Sequence, residues 1–209
     1  MERKYELTDE TKVFYFRTLH RIVAVRDFGN VRKGYKGGWI EHDGNLSHEG
    51  DCWVYDDAVV FGNASLYDNA RVYNNVRVYG NARVYENACI YNRAGVCVNA
   101  QVYGNVRVYG CANVHGNAIV CGEANVHGNV ELCHTAYVST DGDYIVFKNW
   151  WSSGRYFTWT RSNNKWKVGC FYGSGDELIK KAYADSDKSG REYERIVRYV
   201  EEIIKDNQK

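Results

Sequence analysis

The sequence contains no proline in 209 residues, so other residues must form its turns. Its 20 glycines and its numerous asparagines can do so, because both residue types tolerate positive φ. No apolar run reaches the roughly 18 residues that a membrane-spanning helix needs, which excludes such a helix. The net charge is only +1, which argues against a surface for polymeric nucleic acid or for a membrane.

The seven cysteines show no sign of a disulfide framework, since their number is odd. Five of them stand in a repeat, at positions that other units fill with different residues: Cys89, Cys97, Cys111, Cys121 and Cys133. This usage is typical of reduced thiols. The N-terminus also lacks the apolar core of a signal peptide, so we expect a cytoplasmic protein.

The dominant feature is a six-residue repeat. Every sixth residue from position 54 to position 138 is valine, leucine or isoleucine, without exception. The residue four positions after each of them, up to position 136, is alanine or valine. A period of six matches neither a helix (about 3.6) nor a simple strand (about 2), and a fixed short period predicts a solenoid.

The unit itself indicates how the chain coils. In Arg71-Val72-Tyr73 the valine points inward and its neighbours point outward, as strand alternation requires. Glycine, aspartate and asparagine follow and favour a turn. Three units would close a triangular coil of about 18 residues, and about five coils stacked at about 4.8 Å would give a rod of roughly 24 Å.

This repeat resembles that of the hexapeptide-repeat, left-handed parallel β-helix proteins, in which a small residue follows an aliphatic one after four positions. The resemblance implies a mainly β fold, and it supplies the left-handed sense of the coil, which periodicity alone does not show. Acyltransferases, carbonic anhydrases and scaffolds all use this rod, so the repeat by itself does not assign a function.

We expect three segments along the chain. An N-terminal β cap spans residues 1–36, with its turn at 8–11. The β-helix spans 37–142, and its regular hexads run from 54 to 138. A C-terminal cap spans 143–209 and protects the open end of the rod.

The C-terminal cap combines aromatic strands with helices. Aromatic runs around an Asn163-Asn164 turn predict a small antiparallel sheet. Two capping boxes, Ser174 with Glu177 and Ser189 with Glu192, predict the starts of two helices.

Segments outside the repeat resemble hexapeptide-repeat proteins of phages and prophages in low-GC Gram-positive bacteria. The matching segments are residues 26–31, 37–41 and 169–173. The resemblance implies a phage- or prophage-encoded protein in the cytoplasm of a bacterial host cell, and it carries no established chemistry.

An acyl-CoA-dependent acyltransferase is one functional hypothesis. The resemblance implies acyl-CoA, such as acetyl-CoA, bound between subunits, a histidine as general base, and a loop that interrupts the hexads. His115 and His127 take outward positions that tyrosine usually holds, and they are the candidate bases. The uninterrupted hexads argue against this hypothesis, so we assign no catalytic residue.

A zinc site like that of the carbonic anhydrases on this rod is a further possibility. Cys97, His115 and Cys133 would share one face in successive coils. We expect no carboxylate or second histidine to join this column, and therefore predict neither a metal nor a resident cofactor.

The outward columns are rich in tyrosine and arginine. Aromatic surface usually marks contacts, and rods of this family are generally homotrimers, so we expect the chain to pair with itself as a homotrimer. The face with Val59, Gly95 and Cys97 is the first candidate for close packing between subunits.

Tyrosine beside arginine also suits a small planar anion, because rings stack on bases and guanidinium groups pair with phosphate. We therefore favour a non-catalytic homotrimer that captures a small anionic ligand, such as a cyclic nucleotide signal, to counter host defence. A purely structural role for these residues, within a scaffold, stays open, since Arg-Val-Tyr also suits a strand. The candidate ligand contacts are Arg71, Tyr73, Arg107, Tyr109, Arg83 and Tyr85.

Overall fold

The computed structural model of the protein describes residues 2–150 and 152–206. The chain divides into two compact units, Met1–Asp143 and Tyr144–Lys209, here called the solenoid unit and the C-terminal unit. In the described part of the chain, no helix has both the length and the apolar character of a membrane span.

The solenoid unit consists of three longer strands followed by fifteen strands of two residues each. The short strands recur every six residues, because each hexad supplies one outward and one inward strand residue and then a turn. The strands are β1 (Tyr5–Phe14), β2 (Arg17–Ala24), β3 (Lys36–Ile40), β4 (Trp53–Val54), β5 (Val59–Val60), β6 (Ser65–Leu66), β7 (Arg71–Val72), β8 (Arg77–Val78), β9 (Arg83–Val84), β10 (Cys89–Ile90), β11 (Gly95–Val96), β12 (Gln101–Val102), β13 (Arg107–Val108), β14 (Asn113–Val114), β15 (Ile119–Val120), β16 (Asn125–Val126), β17 (Glu131–Leu132) and β18 (Tyr137–Val138).

The short strands form three parallel sheets, one on each side of the coil. The first face is β4-β7-β10-β13-β16, the second is β3-β5-β8-β11-β14-β17, and the third is β6-β9-β12-β15-β18. Arg71 pairs with Cys89, which lies 18 residues later, so three hexads make one coil. The inward aliphatic residues are all fully buried, which confirms the predicted hexapeptide-repeat β-helix.

The coil count differs slightly from the expected five. The second face contains six parallel strands, because β3 precedes β5 and pairs with it. A bridge between Leu46 and Leu66 continues this additional coil on the third face. The extra coil is irregular in sequence, so the hexad pattern did not include it.

Glycine at the corners is needed where one coil lies close over the next. Gly104 has a φ of +88°, and a Cβ there would lie 2.6 Å from the carbonyl oxygen of Gly122. Gly128 has a φ of +73°, but a Cβ there would meet nothing within 4 Å. Both corners therefore share the left-handed conformation and differ in the space available to a side chain.

We expect Gly104→Ala to lower the free energy of unfolding by about 3 kcal/mol, since strain and overlap with backbone atoms add. Gly128→Ala should cost only the conformational strain, about 1 kcal/mol. Chemical denaturation of both variants would measure this difference. If both variants lost the same free energy of unfolding, the close approach of Gly122 to residue 104 would not be the cause of the loss.

The N-terminal cap is a β-hairpin, and its predicted turn is wrong. The chain reverses at Tyr15 and Phe16, which both have positive φ, between β1 and β2. The segment expected to turn lies inside β1, where the pairing shifts register between Leu7 and Thr11. Polar residues in that segment mark a bulge, which sequence alone does not separate from a turn. The hairpin pairs with β3 and extends the second face.

The C-terminal unit has the expected antiparallel sheet and two helices. The elements are β19 (Tyr144–Asn149), β20 (Arg155–Thr160), β21 (Lys165–Val168), β22 (Phe171–Gly173), α1 (Gly175–Asp185) and α2 (Asp187–Asp206). Phe157, Trp159 and Trp166 of the sheet form one buried core with residues of both helices. The apolar stripe of α2 covers the aromatic strands and stabilises them.

One helix start agrees with its capping box and the other does not. The Ser174 side chain accepts the amide of Glu177, and the Glu177 carboxylate accepts the Ser174 amide, so the first box is confirmed. The second is wrong, because α2 begins at Asp187 and contains Ser189. The hydroxyl of Ser186 accepts the Ser189 amide at 3.1 Å, which caps α2 one turn earlier.

Candidate functional site

The predicted ligand contacts lie on two separate faces. Arg71 in β7 and Arg107 in β13 flank Cys89 on the first face. Arg83 begins β9 on the third face. The structure therefore brings the two first-face arginines within two strand spacings of each other and leaves Arg83 on another side of the coil. A role of the six residues in ligand binding stays a prediction.

The tyrosine rings of these columns stack on one another. Tyr109 lies between Tyr91 at 4.8 Å and His127 at 5.2 Å. Tyr85 lies between Tyr67 and Tyr103, both at 4.8 Å. Both faces of the Tyr109 and Tyr85 rings are thus covered within the chain, so a nucleotide base has no open face there to stack on.

Tyr73 belongs to a shorter stack of the same kind. Its ring lies 4.4 Å from the ring of Tyr55. Burial raises the pKa of Tyr55 to about 12, and Tyr73 beside it adds to that rise. Burial also raises the pKa of Tyr73, so both rings of this stack are neutral at physiological pH.

The two candidate bases have different surroundings. His127 is exposed and ends the ring stack on Tyr109. His115 follows β14 on the second face, and its Nε2 lies 3.1 Å from Oε1 of Glu131. The His115 side chain is 24% exposed and that of Glu131 is 34% exposed. His115 therefore has an orienting carboxylate and an accessible ring at once.

A carboxylate on one ring nitrogen determines what the other nitrogen does. When Nε2–H donates to Glu131, Nδ1 of His115 keeps its lone pair and can accept a proton. Glu131 also stabilises the imidazolium that forms when the ring is protonated. This pair has the elements of a general base and its positioning group.

Two buried cysteines lie next to His115 along the second face. Cys97 is one coil before it and Cys133 one coil after it. A hydrogen bond with Cys97, and then burial, raises the pKa of Tyr79 to about 12. Burial also raises the pKa of the Cys97 thiol, so this cysteine is protonated and a poor nucleophile.

Cys97, His115 and Cys133, the residues weighed for a zinc site, do not converge on a common point. Among residues 2–150 and 152–206, no group of three or more histidine, cysteine or acidic side chains could hold a metal ion. Nδ1 of His134 lies 3.2 Å from the Cys133 thiol, while His115 turns to Glu131. The expectation that no carboxylate approaches this column was wrong, since Glu131 does.

The sequence did not predict the contact between Glu131 and His115, because Glu131 is not in the column of His115. The two residues are 16 positions apart, whereas column neighbours are 18 apart. The same spacing joins Cys121 to Tyr137 and Tyr85 to Gln101. A residue that follows a strand therefore meets the outward strand residue of the next coil, and that diagonal spacing is the signal in the sequence.

Cavities also lie along the second face, lined by described residues. One of about 360 Å³ lies between the N-terminal hairpin and Val59, and one of about 280 Å³ includes His42 and Tyr79. A third, of about 230 Å³, has Gly95 and Asn113 in its lining. Asn113 precedes His115 by two residues, so this third cavity adjoins the His115–Glu131 pair.

Part of the second face, where we expected close packing between subunits, is covered by the N-terminal hairpin of the same chain. Val59 and Phe61 are buried together with Leu19 and Trp39 of the N-terminal hairpin and β3. Phe14 at the hairpin end packs against this cluster. The face beyond Phe61 carries the third cavity, and close packing of subunits at Gly95 and Cys97 stays a prediction.

The C-terminal unit has a larger cavity of about 540 Å³. It is lined by Trp159, Arg161 and Asn164 from the sheet side and by Glu201 and Lys205 from α2. Among the described residues, the ionisable side chains of this lining are Arg161, Glu201 and Lys205, and no histidine or cysteine joins them.

The comparisons with known proteins agree with the solenoid fold. A sequence model described as the YdcK Beta solenoid repeat matches residues 76–92 and 100–116. The chain is also 35% identical over 60 residues to the protein named Uncharacterized acetyltransferase YdcK of Escherichia coli (strain K12). The match covers 25% of this chain and 18% of the relative, so the chain spans less than a fifth of the relative's length.

These findings correct the functional interpretation. The favoured hypothesis, a phage-encoded protein that captures nucleotides without catalysis, is wrong. The matched relative is named as an acetyltransferase, and neither comparison points to nucleotide binding or to a phage. The acyltransferase alternative agrees better with them.

Proposed function

Because the chain is a hexapeptide-repeat β-helix protein, we propose that it is an acyl-CoA-dependent acyltransferase with His115 as its general base. The observation that carries the proposal is the 3.1 Å contact between Nε2 of His115 and Oε1 of Glu131. His115 lies in the solenoid, within residues 100–116, which match the model of the YdcK Beta solenoid repeat.

The reaction needs one proton acceptor close to the nucleophile. Nδ1 of His115 takes the proton from the hydroxyl or amine of the acceptor, whose oxygen or nitrogen attacks the thioester carbonyl carbon. The C–S bond then breaks, and the imidazolium returns the proton to the departing sulfur of CoA. Glu131 stabilises the imidazolium between these two steps.

Assembly and location complete the proposal. A homotrimer would place the second face of one subunit beside another subunit, which is where acyl-CoA would bind. All seven cysteines are free, which supports a reducing cytoplasm as the site of action. Native mass spectrometry measures the first point, and a monomeric mass would contradict it.

The first test is turnover of acetyl-CoA by the purified chain with a panel of small amines and alcohols. Chromatography of CoA and acetyl-CoA is the suitable readout, because exposed Cys111 and Cys170 would react with a thiol dye. We expect CoA release that depends on the acceptor and exceeds spontaneous hydrolysis. A chain that neither binds acetyl-CoA nor releases CoA would refute the proposal.

A further inference from the structure

Gly95 leaves a gap in the outward side chains of the second face. It pairs with Arg77 on β8 and with Asn113 on β14, so side chains stand on either side of it. Its φ is outside the left-handed region, and the backbone there does not require glycine. An added Cβ would approach only the Asn113 side chain, with Oδ1 at 3.0 Å. A glycine within a strand that the backbone does not need is typical of a close approach by another molecule.

Two arginines stand at this gap, which we call the Gly95 notch. Arg77 and Arg93 line the cavity of about 230 Å³ together with Tyr79 and Asn113. Within the described residues, neither guanidinium has an acidic partner at ion-pair distance. The Arg77 guanidinium carbon lies 5.8 Å from the centre of the Phe14 ring, and Arg77 also lines the cavity of about 360 Å³ together with Asp57.

The notch therefore combines two positively charged guanidinium groups with the neutral side chains of Tyr79 and Asn113. Guanidinium groups pair bidentately with the oxygens of phosphate, and an asparagine amide adds a neutral donor. A compact dianion with several acceptor oxygens, such as a phosphate monoester, makes full use of these donors. The whole chain has a net charge of only +1, so this local charge is not a general property of its surface.

The notch adjoins the proposed base. Asn113 and His115 are two residues apart, which corresponds to about 6.6 Å along a strand. We propose that the Gly95 notch binds the phosphate group of the acyl acceptor and so presents the nucleophile of that acceptor to His115. This inference rests on the proposed acyl transfer and adds the chemical class of its acceptor, a phosphate monoester that also carries an amine or hydroxyl.

CoA also carries phosphates, but its covalent structure does not fit this position. The long pantetheine arm separates the thioester from the phosphates, whereas the notch is one coil and two residues from His115. A phosphate held in the notch is therefore close to the reacting atoms, as in a short acceptor.

The test is titration calorimetry with inorganic phosphate as the probe. We expect Arg93→Gln to weaken phosphate binding about tenfold, through loss of a charge-assisted hydrogen bond. Gly95→Val fills the notch and should abolish binding, while the strand folds because the same column already holds Val59. Arg191→Gln is the control, since Arg191 is an exposed arginine of α2 in the C-terminal unit. Circular dichroism verifies the fold of each variant.

The outcomes separate the sources of phosphate. Retained acetyl-CoA affinity in Arg93→Gln, with phosphate binding weakened, supports the acceptor site. A parallel loss of acetyl-CoA affinity would assign the notch to CoA and overturn the inference. Absence of phosphate binding at millimolar concentration, or equal binding in all variants, would also overturn it.

The proposed function can fail separately. If the wild-type chain shows no acyl transfer and phosphate binding still depends on Arg93 and Gly95, the acceptor role is refuted and a phosphate site stands. If acyl transfer is measured and the notch does not bind phosphate, the proposed acyltransferase function is supported and the notch is refuted as the binding site of the acceptor.

Discussion

Replacing His115 with alanine should lower kcat for acetyl transfer about 100-fold or more, because general base catalysis contributes a factor of that order. The fold should persist, since the side chain lies outside the buried interior of the coil. Steady-state kinetics with acetyl-CoA and the best acceptor of the panel would measure the loss. His127→Ala is the matched control and should keep kcat within about twofold, because surface substitutions usually have small effects.

Glu131→Gln separates positioning from proton transfer. The amide can still contact Nε2 of His115 but brings no negative charge to the imidazolium, so we expect kcat to fall about tenfold while KM changes little. Rescue by Glu131→Asp would support an electrostatic role. Equal losses in the His115 and His127 variants would contradict the choice of base.

Replacing Lys4 with methionine should lower the free energy of unfolding by about 3 kcal/mol, since it removes the donor to three carbonyl oxygens, of which that of Cys52 is buried. The side chain of Lys4 is fully buried. Its Nζ donates to the carbonyl oxygens of Glu49, Gly50 and Cys52 at 3.2, 3.1 and 2.9 Å. It also lies 3.2 Å from the Cys52 thiol. Methionine matches the length of the side chain and leaves these oxygens without a donor.

The ammonium of Lys4 joins the N-terminal strand to the irregular first coil. Burial lowers the pKa of Lys4, while Cys52 and Asp51 nearby raise it. The hydrogen bonds thus offset part of the cost of burying a charge. Removal of the side chain should open the edge of the β-helix that β1 and β2 cover.

Lys36→Met is the control for this prediction. Lys36 begins β3 in the same cap, and its exposed ammonium lies 3.4 Å from Glu10. Exposed ion pairs contribute little, so we expect a change below about 0.5 kcal/mol. Urea denaturation of both variants measures the difference, and a loss below about 1 kcal/mol in Lys4→Met would show that water replaces the ammonium.

The repeat predicted the solenoid because its information is local. Each hexad carries its own inward aliphatic residue, its own small residue and its own turn formers, so all fifteen short strands follow from the period. The helix at Ser174 was predictable for the same reason, since its capping box joins residues three positions apart. The turn at Tyr15 and Phe16 was not, because aromatic residues at positive φ contradict local preference.

The functional interpretation from sequence treated each tyrosine and arginine as available to a ligand. Stacking between coils at 4.8 Å covers both faces of rings such as Tyr85, and only the coil spacing shows this. The contact of His115 with Glu131 was missed for a related reason, since it crosses between coils diagonally.

By itself, the sequence determined the coil, its period, its buried interior and the identity of the outward residues. Only the tertiary structure decided which outward residues meet: His115 with Glu131, Arg77 beside the Gly95 notch, and Lys4 with the first coil. The physical reason is that inward packing and turns depend on neighbours within six residues, whereas contacts between coils depend on the stagger of strands 18 residues apart and on side-chain directions.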